Sequence, residues 1–248
     1  IAGWVGVSYY HFTRPGSFDL FRSAVILAIL FLSWGVNQII NDYFGLPEDR
    51  INAPNRPMVT GELHPEAALG VSIALMTAAA VGSWFLNPLA VVALVLGVLL
   101  NILYEYAKAW SLVGNAIFGA SIATCTVYGF FATGPTPDPL FTPSRVSGVI
   151  LVALFNALMT YYTYFKDYRG DRRAGKKTFV VRHGLHVGRV AGVVGAFLPT
   201  VVYFAMAVLG FLPFRDVLYT QEFTFCAVMT LFLQVWTAGI FYRHPFGP

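Results

Sequence analysis

Charged residues are scarce in this chain of 248 residues, of which only 11% are Asp, Glu, Lys or Arg. An ordinary soluble domain carries about 25%. Hydrophobic residues make up 57% of the chain, so water is not the main solvent of its surface. The composition therefore excludes a typical soluble domain and predicts an integral membrane protein.

Cysteine is nearly absent as well. The two cysteines, Cys125 and Cys226, both lie within apolar runs, where small packing residues are usual. We therefore expect neither a disulfide framework nor a cysteine metal site. The net charge of +4 does not indicate a nucleic-acid partner, because the basic residues lie in short connections between apolar segments.

Long apolar runs are frequent, whereas strand-like alternation over about ten residues does not recur, which favours helices over a membrane barrel. The segment Ile1–Phe12 is too short to cross a bilayer, and we expect that part of this first helix precedes the sequence. The prediction is an all-α integral membrane bundle of about eight transmembrane helices. The complete predicted spans are Phe21–Ile40, Ala67–Phe85, Leu89–Leu103, Leu112–Thr133, Val146–Phe165, Val187–Leu212 and Phe223–Tyr242.

The connections between these spans alternate in charge. Those at 41–66, 104–111 and 166–189 hold 11 of the 16 basic residues, which predicts that this face is cytoplasmic. The same connections also hold eight of the twelve acidic residues. Orientation in the membrane requires only Lys and Arg, so the carboxylates must have another role.

The first carboxylate segment directly follows the span Phe21–Ile40. Asn41, Gly45 and Asp49 are spaced by four residues, and Asp42 lies seven residues before Asp49, so a continuing helix would present them on one side. Pro47 can kink this helix and place Asp49 on a turn.

The second carboxylate segment follows the span Val146–Phe165. Asp167 and Asp171 lie one helical turn apart and repel each other unless a cation lies between them. Oxygen ligands of this kind suit Mg²⁺. The candidate metal ligands of the two segments are Asn41, Asp42, Asp49, Asp167 and Asp171.

Basic residues accompany both segments, and carboxylates beside guanidinium and ammonium groups are typical of a diphosphate site. The bland alternative is that these are solvated helix ends at a membrane surface. Two such segments on one face argue against it. The candidate diphosphate-binding residues are Arg50, Arg56, Lys108, Arg172 and Lys177.

From about Phe21 to His186, these residues resemble the UbiA superfamily of intramembrane prenyltransferases. Its first motif, N-D-x-x-D-x-x-x-D followed by Arg and Arg-Pro, is matched by Asn41, Asp42, Asp49, Arg50, Arg56 and Pro57. Its second, D-x-x-x-D, is matched by Asp167 and Asp171, with Gly175, Thr178 and Gly184 following. Between them, Tyr104, Lys108 and Asn115 look like the family's Tyr-and-Lys connection.

The resemblance implies a single UbiA-like transmembrane domain over residues 1–248, built from two four-helix halves. It also implies Mg²⁺-dependent ionisation of a prenyl diphosphate, with Asp49, Asp167 and Asp171 as catalytic carboxylates and Asn115 as a further substrate-binding residue. The expected partners are the prenyl diphosphate and membrane lipid, with no nucleic acid and no protein partner. We expect the aromatic cluster Tyr161–Phe165 to line the pocket that shields the resulting carbocation.

The sequence departs from the family's first motif at Gly45, where aromatic prenyltransferases have an aspartate. This pattern looks like the terpene cyclase branch, which predicts intramolecular cyclisation of farnesyl or geranylgeranyl diphosphate. The alternatives are that Gly45 only loosens the helix before Pro47, and that the chain is a prenyltransferase acting on an aromatic or lipid acceptor. An ion transporter is a third class, disfavoured because these acids lie at helix ends rather than at mid-span.

Overall fold

The computed structural model describes residues 1–14, 16, 18–136, 139–212 and 221–243. Within these ranges the chain forms eleven helices and no strands, which confirms the all-α prediction. The helices are α1 Ala2–Thr13, α2 Leu20–Phe44, α3 Leu46–Asn52, α4 Pro57–Thr60, α5 Pro65–Leu86, α6 Pro88–Ala107, α7 Leu112–Ala132, α8 Pro143–Arg173, α9 Phe179–Gly195, α10 Leu198–Val208 and α11 Gln221–Arg243.

Six helices are long and apolar enough to cross a membrane, namely α2, α5, α6, α7, α8 and the Thr224–Arg243 part of α11. Helices α9 and α10 meet at a bend of 40° and together make a seventh candidate span. The predicted straight span Val187–Leu212 is therefore bent. Pro199 lies in the first turn of α10, where its missing N–H and its ring are tolerated, but it could not continue α9 without distortion.

Side chains at the helix starts explain several boundaries. Asp19 accepts a hydrogen bond from the backbone N–H of Arg22 (2.9 Å), and Asn87 accepts one from Leu89 (2.9 Å), so α2 and α6 begin with capped backbone donors. The Arg22 side chain then donates to the carbonyls of Leu86 (2.5 Å) and Ala132 (2.7 Å). Its positive charge lies at the C-terminal ends of α5 and α7, where cations stabilise helices.

Small residues allow α1 and α7 to cross closely. A side chain at Gly6 in α1 would overlap the backbone of α7, and one at Gly129 in α7 would overlap the backbone of α1. Helices in a membrane associate largely by such close packing, because lipid gives them no hydrophobic driving force. Helix α1 is thereby fixed against α7.

Within the described ranges, two clusters of buried apolar residues form the core. One joins α1, α2, α5, α6 and α7 around Val7, Ile26 and Tyr128. The other joins α8, α9 and α11 around Phe165 and Phe241. Many large apolar side chains remain on the outside, which is expected of a surface that faces lipid.

Candidate functional site

A polar cavity of about 380 Å³ lies where the C-terminal ends of α2, α6 and α8 meet α3. The two carboxylate segments, far apart in sequence, both contribute to its walls. The predicted site residues that line it are Asn41, Asp42, Asp49, Arg56, Lys108, Asp167 and Asp171.

The first segment is broken at Gly45. Helix α2 ends at Phe44, the Gly45 N–H donates to the Asn41 carbonyl (2.8 Å), and α3 begins with Pro47 in its first turn. The kink expected from Pro47 is therefore present. It places Asp49 on a separate short helix, where it is only 9% exposed and lines the cavity.

Arg56 joins the two carboxylates of the first segment. Its Nη1 lies 2.6 Å from Asp42 Oδ1 and 2.6 Å from Asp49 Oδ2. Burial raises the pKa of the Asp49 carboxyl above its ordinary value, whereas the Arg56 guanidinium favours the ionised form and opposes that rise. One cation thus compensates two carboxylates that would otherwise repel each other.

The second segment lacks an equivalent arginine bridge among the described residues. Helix α8 continues past Phe165, the end of the predicted membrane span, to Arg173, so Asp167 and Asp171 lie one turn apart on a single helix, as their spacing predicts. In the part of the chain that the structure describes, neither carboxylate forms an ion pair with a basic side chain. Asp171 is buried and accepts a hydrogen bond from Asn52 Nδ2 (3.4 Å).

Two lysines of the cavity are held by glutamates. Lys108 Nζ lies 2.6 Å from Glu105 Oε2 and over the ring of Tyr104, 4.8 Å from its centroid. Lys176 Nζ lies 2.7 Å from Glu48 Oε1, which ties the chain after α8 to α3. Both ammonium groups therefore stay at the cavity wall, where they can meet an anionic ligand.

Three predicted diphosphate ligands, Arg50, Arg172 and Lys177, lie outside the described cavity lining and are exposed. Arg50 and Arg172 each follow a cavity-lining aspartate by one residue, and this step rotates a helical side chain by about 100° away from the cavity. Asn115 is also outside the lining. It is buried and donates to the carbonyl of Ala157 (3.4 Å), so in this structure it joins α7 to α8.

Several polar residues of the site were not predicted from the sequence. Lys166, Lys176, Glu48, Glu105 and Asn52 line the cavity. A signal existed for most of them, because they lie inside the charged connections. Contact with the cavity, however, depends on how α3 docks on α8, which no residue spacing reveals.

Asn101 was missed despite a signal of its own, since an Asn within an apolar span is costly unless it has a partner. It is fully buried in α6 and donates from Nδ2 to Asn41 Oδ1 (2.6 Å). Of the predicted aromatic cluster, Tyr164 lines the cavity, whereas Tyr161 and Tyr162 donate to the carbonyls of Gly188 and Gly192 and fasten α8 to α9.

The donor set of the cavity fits Mg²⁺, because every candidate ligand offers an oxygen atom and Mg²⁺ takes few protein ligands beside water and phosphate. Among the described residues, no three or more His, Cys, Asp or Glu side chains come together as a ready-made metal cage. The carboxylates instead form two pairs on different elements, Asp42 with Asp49 and Asp167 with Asp171. Such pairs suit a cation whose remaining ligands come from a bound diphosphate.

An apolar chamber of about 1110 Å³ adjoins the polar cavity. Phe118 and Met159 line both spaces. The chamber is bounded by α1, α2, α7 and α8, with side chains such as Trp34, Ile122 and Phe155. A ligand with a charged head and a long apolar tail matches this combination.

A family model described as the UbiA prenyltransferase family matches residues 2–245 of the chain. The digeranylgeranylglyceryl phosphate synthase of Thermococcus kodakarensis is 26% identical over 233 residues, covering 90% of this chain and 81% of its own length. The synthase of the same name from Sulfurisphaera tokodaii is 35% identical over 154 residues, covering 59% of this chain and 52% of its own length.

Solved structures share the fold, and two of them illustrate the match. A UbiA homologue from Archaeoglobus fulgidus bound to DMAPP and Mg²⁺ superposes with a TM-score of 0.71 at 15% identity, covering 98% of this chain and 84% of that chain. A structure described as giving insights into digeranylgeranylglyceryl phosphate synthase in membranes superposes with a TM-score of 0.67 at 20% identity, covering 98% and 87%.

Proposed function

The chain belongs to the UbiA prenyltransferase family, and we propose that it transfers the prenyl chain of a prenyl diphosphate to a lipid-forming acceptor with the help of Mg²⁺. This proposal rests on the polar cavity, which is lined by two carboxylate pairs and by four cationic side chains, Arg56, Lys108, Lys166 and Lys176. A large apolar chamber lies beside it. The head of a prenyl diphosphate matches the cavity, and its hydrocarbon tail matches the chamber.

The relatives suggest the class of acceptor. Their name describes a glyceryl phosphate that carries two geranylgeranyl chains. By analogy, we infer that this chain joins a geranylgeranyl chain to a glyceryl phosphate that already carries one. In this reaction the allylic C–O bond of the diphosphate breaks, an ether bond to the glycerol oxygen forms, and diphosphate and the hydroxyl proton leave.

The residues of the cavity divide this work. Mg²⁺, when bound, neutralises the leaving diphosphate, and the candidate ligands for it are Asn41, Asp42, Asp49, Asp167 and Asp171. Arg56 and Lys108 bind the phosphate oxygens by charge-assisted hydrogen bonds. Positive charge fixed in advance where negative charge develops lowers the barrier. The apolar walls of the chamber keep water from the carbocation.

The same proposal includes an orientation. The cavity lies on the face whose connections hold most of the basic residues, and by the positive-inside rule this face is cytoplasmic. Both substrates would then reach the site from the cytoplasmic leaflet.

Terpene cyclisation is a second candidate function, since Gly45 lines the cavity at the position where aromatic prenyltransferases carry a carboxylate. The synthases among the relatives favour transfer over this reading. In a cyclase the substrate's own double bond attacks the cation, so diphosphate would be released without an acceptor.

Product analysis distinguishes the two functions. We expect the purified chain to release little diphosphate from geranylgeranyl diphosphate and Mg²⁺ when no acceptor is present. When geranylgeranylglyceryl phosphate is added, we expect it to form an ether lipid. If diphosphate is released rapidly without an acceptor, together with a cyclic hydrocarbon or terpene alcohol, the function is cyclisation and not transfer.

A further inference from the structure

Helix α3 and the end of α8 meet at Gly170, the residue directly before Asp171. A Cβ atom built on Gly170 would overlap the carboxamide of Asn52, so Asn52 fills the space that a side chain at 170 would occupy. In the same place Asn52 Nδ2 donates to Asp171 Oδ1 (3.4 Å). The two carboxylate segments are thus in direct contact through one asparagine and one glycine.

The surroundings of Asp171 differ from those of Asp42 and Asp49. Asp42 and Asp49 share Arg56, but in the described ranges no basic side chain forms an ion pair with Asp171. Among the described residues, Asn52 is the side chain that donates a hydrogen bond to the Asp171 carboxylate. A carboxylate with a single donor is free to rotate once that donor is removed.

We propose that Asn52 is a positioning residue that fixes the Asp171 carboxylate for metal and diphosphate binding, and that Gly170 is required because Asn52 fills the space of its missing side chain. This inference rests on the proposed function, because it concerns the same cavity. Groups that orient the ligands of a metal commonly change affinity or activity by about 10- to 100-fold when they are removed.

The contact can be removed without undocking α3. The Glu48–Lys176 ion pair (2.7 Å) independently ties α3 to the chain after α8, and both side chains are largely buried. Truncation of Asn52 therefore affects the orientation of Asp171 first and the position of α3 second.

The test uses the full chain in detergent and four variants, Asn52→Ala, Gly170→Ala, the double variant, and Gly70→Ala as control. Gly70 lies in α5, and a Cβ atom added there meets no other atom within 4 Å. Gly70→Ala therefore raises helix propensity as Gly170→Ala does, but creates no clash. The first readout is the Mg²⁺ concentration at which the rise in melting temperature is half complete, measured in saturating inorganic diphosphate. The second is the Mg²⁺ concentration that gives half of the maximal rate of prenyl transfer. We call both values Mg²⁺ midpoints.

We expect both Mg²⁺ midpoints to rise about tenfold in Asn52→Ala and at least as much in Gly170→Ala, and to stay unchanged in Gly70→Ala. The double variant should be no worse than Asn52→Ala, because removal of the asparagine side chain makes room for the methyl group at 170. If Gly170→Ala does not fold, the double variant should still fold and match Asn52→Ala.

Three results would overturn the proposal. The first is an unchanged Mg²⁺ midpoint in Asn52→Ala with only a lower melting temperature, which would show that Asn52 contributes to packing but does not position Asp171. The second is a double variant that does not fold, or whose Mg²⁺ midpoint rises by the product of the two single-variant increases. The third is a wild-type chain without any Mg²⁺-dependent response to diphosphate, and this result alone would also overturn the proposed function.

Discussion

Arg56 is the residue on which most of the first carboxylate segment depends, because its guanidinium lies 2.6 Å from both Asp42 and Asp49. Such a residue has two tasks in the proposed site, holding the carboxylates together and binding phosphate. Arg50, only six residues earlier, is exposed and lies outside the described cavity lining. The two arginines therefore make a matched pair for a test.

We predict that Arg56→Gln weakens binding of prenyl diphosphate by about tenfold to a hundredfold, since a hydrogen bond to a charged group contributes about 1.5–3 kcal/mol. Arg50→Gln should leave the affinity within about twofold. Isothermal titration with a non-hydrolysable prenyl diphosphate analogue measures both. Equal losses in the two variants would assign the effect to the overall positive charge of this face.

At the level of single residues, the sequence identified the acidic part of the site better than the basic part. Asp167 and Asp171 could be found because their spacing of four places them on one face of α8. Asp49 could be found from its motif, although the break at Gly45 places it on a separate helix. The basic residues could not be sorted this way. Lys176 lines the cavity and Lys177 does not, and the difference arises from the chain's exit after Arg173 rather than from any pattern.

Among the helices, the contact of α7 with α8 is set by Gly119. A Cβ at this position would overlap the backbone carbonyl of Ala153 and lie 3.0 Å from the Cβ of Ala157. Helix α8 carries Asp167 and Asp171, so any shift of α8 away from α7 moves the second carboxylate pair.

We predict that Gly119→Ala lowers the free energy of unfolding by about 1–3 kcal/mol, because a methyl group forced into a packed contact costs about that much. Gly35→Ala in α2, where nothing lies within 4 Å of the added carbon, should be neutral or slightly stabilising. Thermal unfolding in detergent compares the two. A more stable Gly119→Ala would show that α7 and α8 do not pack as closely as the structure has them.

The existence of the helices could be predicted from apolar run length, but their breaks could not be predicted equally well. Pro47 correctly indicated the break between α2 and α3. Pro199 carried the same signal within the predicted span Val187–Leu212, yet the continuous apolar run concealed the bend. Helix α8 extends to Arg173 because its polar last turns pack on α3, a contact that hydropathy does not register.

For the molecule as a whole, function requires the polar cavity and the apolar chamber to be continuous. Met159 lines both spaces, at the point where a prenyl chain would pass from one to the other. Met229 on α11 has a similar exposure, 41% against 53% for Met159, but lines neither of them, which makes it a suitable control.

We predict that Met159→Trp lowers kcat/KM for geranylgeranyl diphosphate about tenfold or more while changing that for DMAPP about twofold or less, because only the long chain must pass the enlarged side chain. Met229→Trp should change neither value. Steady-state rates with the two diphosphates measure this. Equal losses of kcat/KM for both diphosphates would show that the prenyl chain does not pass Met159 into the chamber.

We propose that two carboxylate pairs from distant parts of the chain form one metal and diphosphate site. The most direct measurement is anomalous diffraction from crystals of the chain grown with Mn²⁺ and a prenyl diphosphate analogue. We expect manganese peaks beside Asp42 and Asp49 and beside Asp167 and Asp171, with the diphosphate between them. Diphosphate bound elsewhere, or manganese at neither pair, would contradict the account.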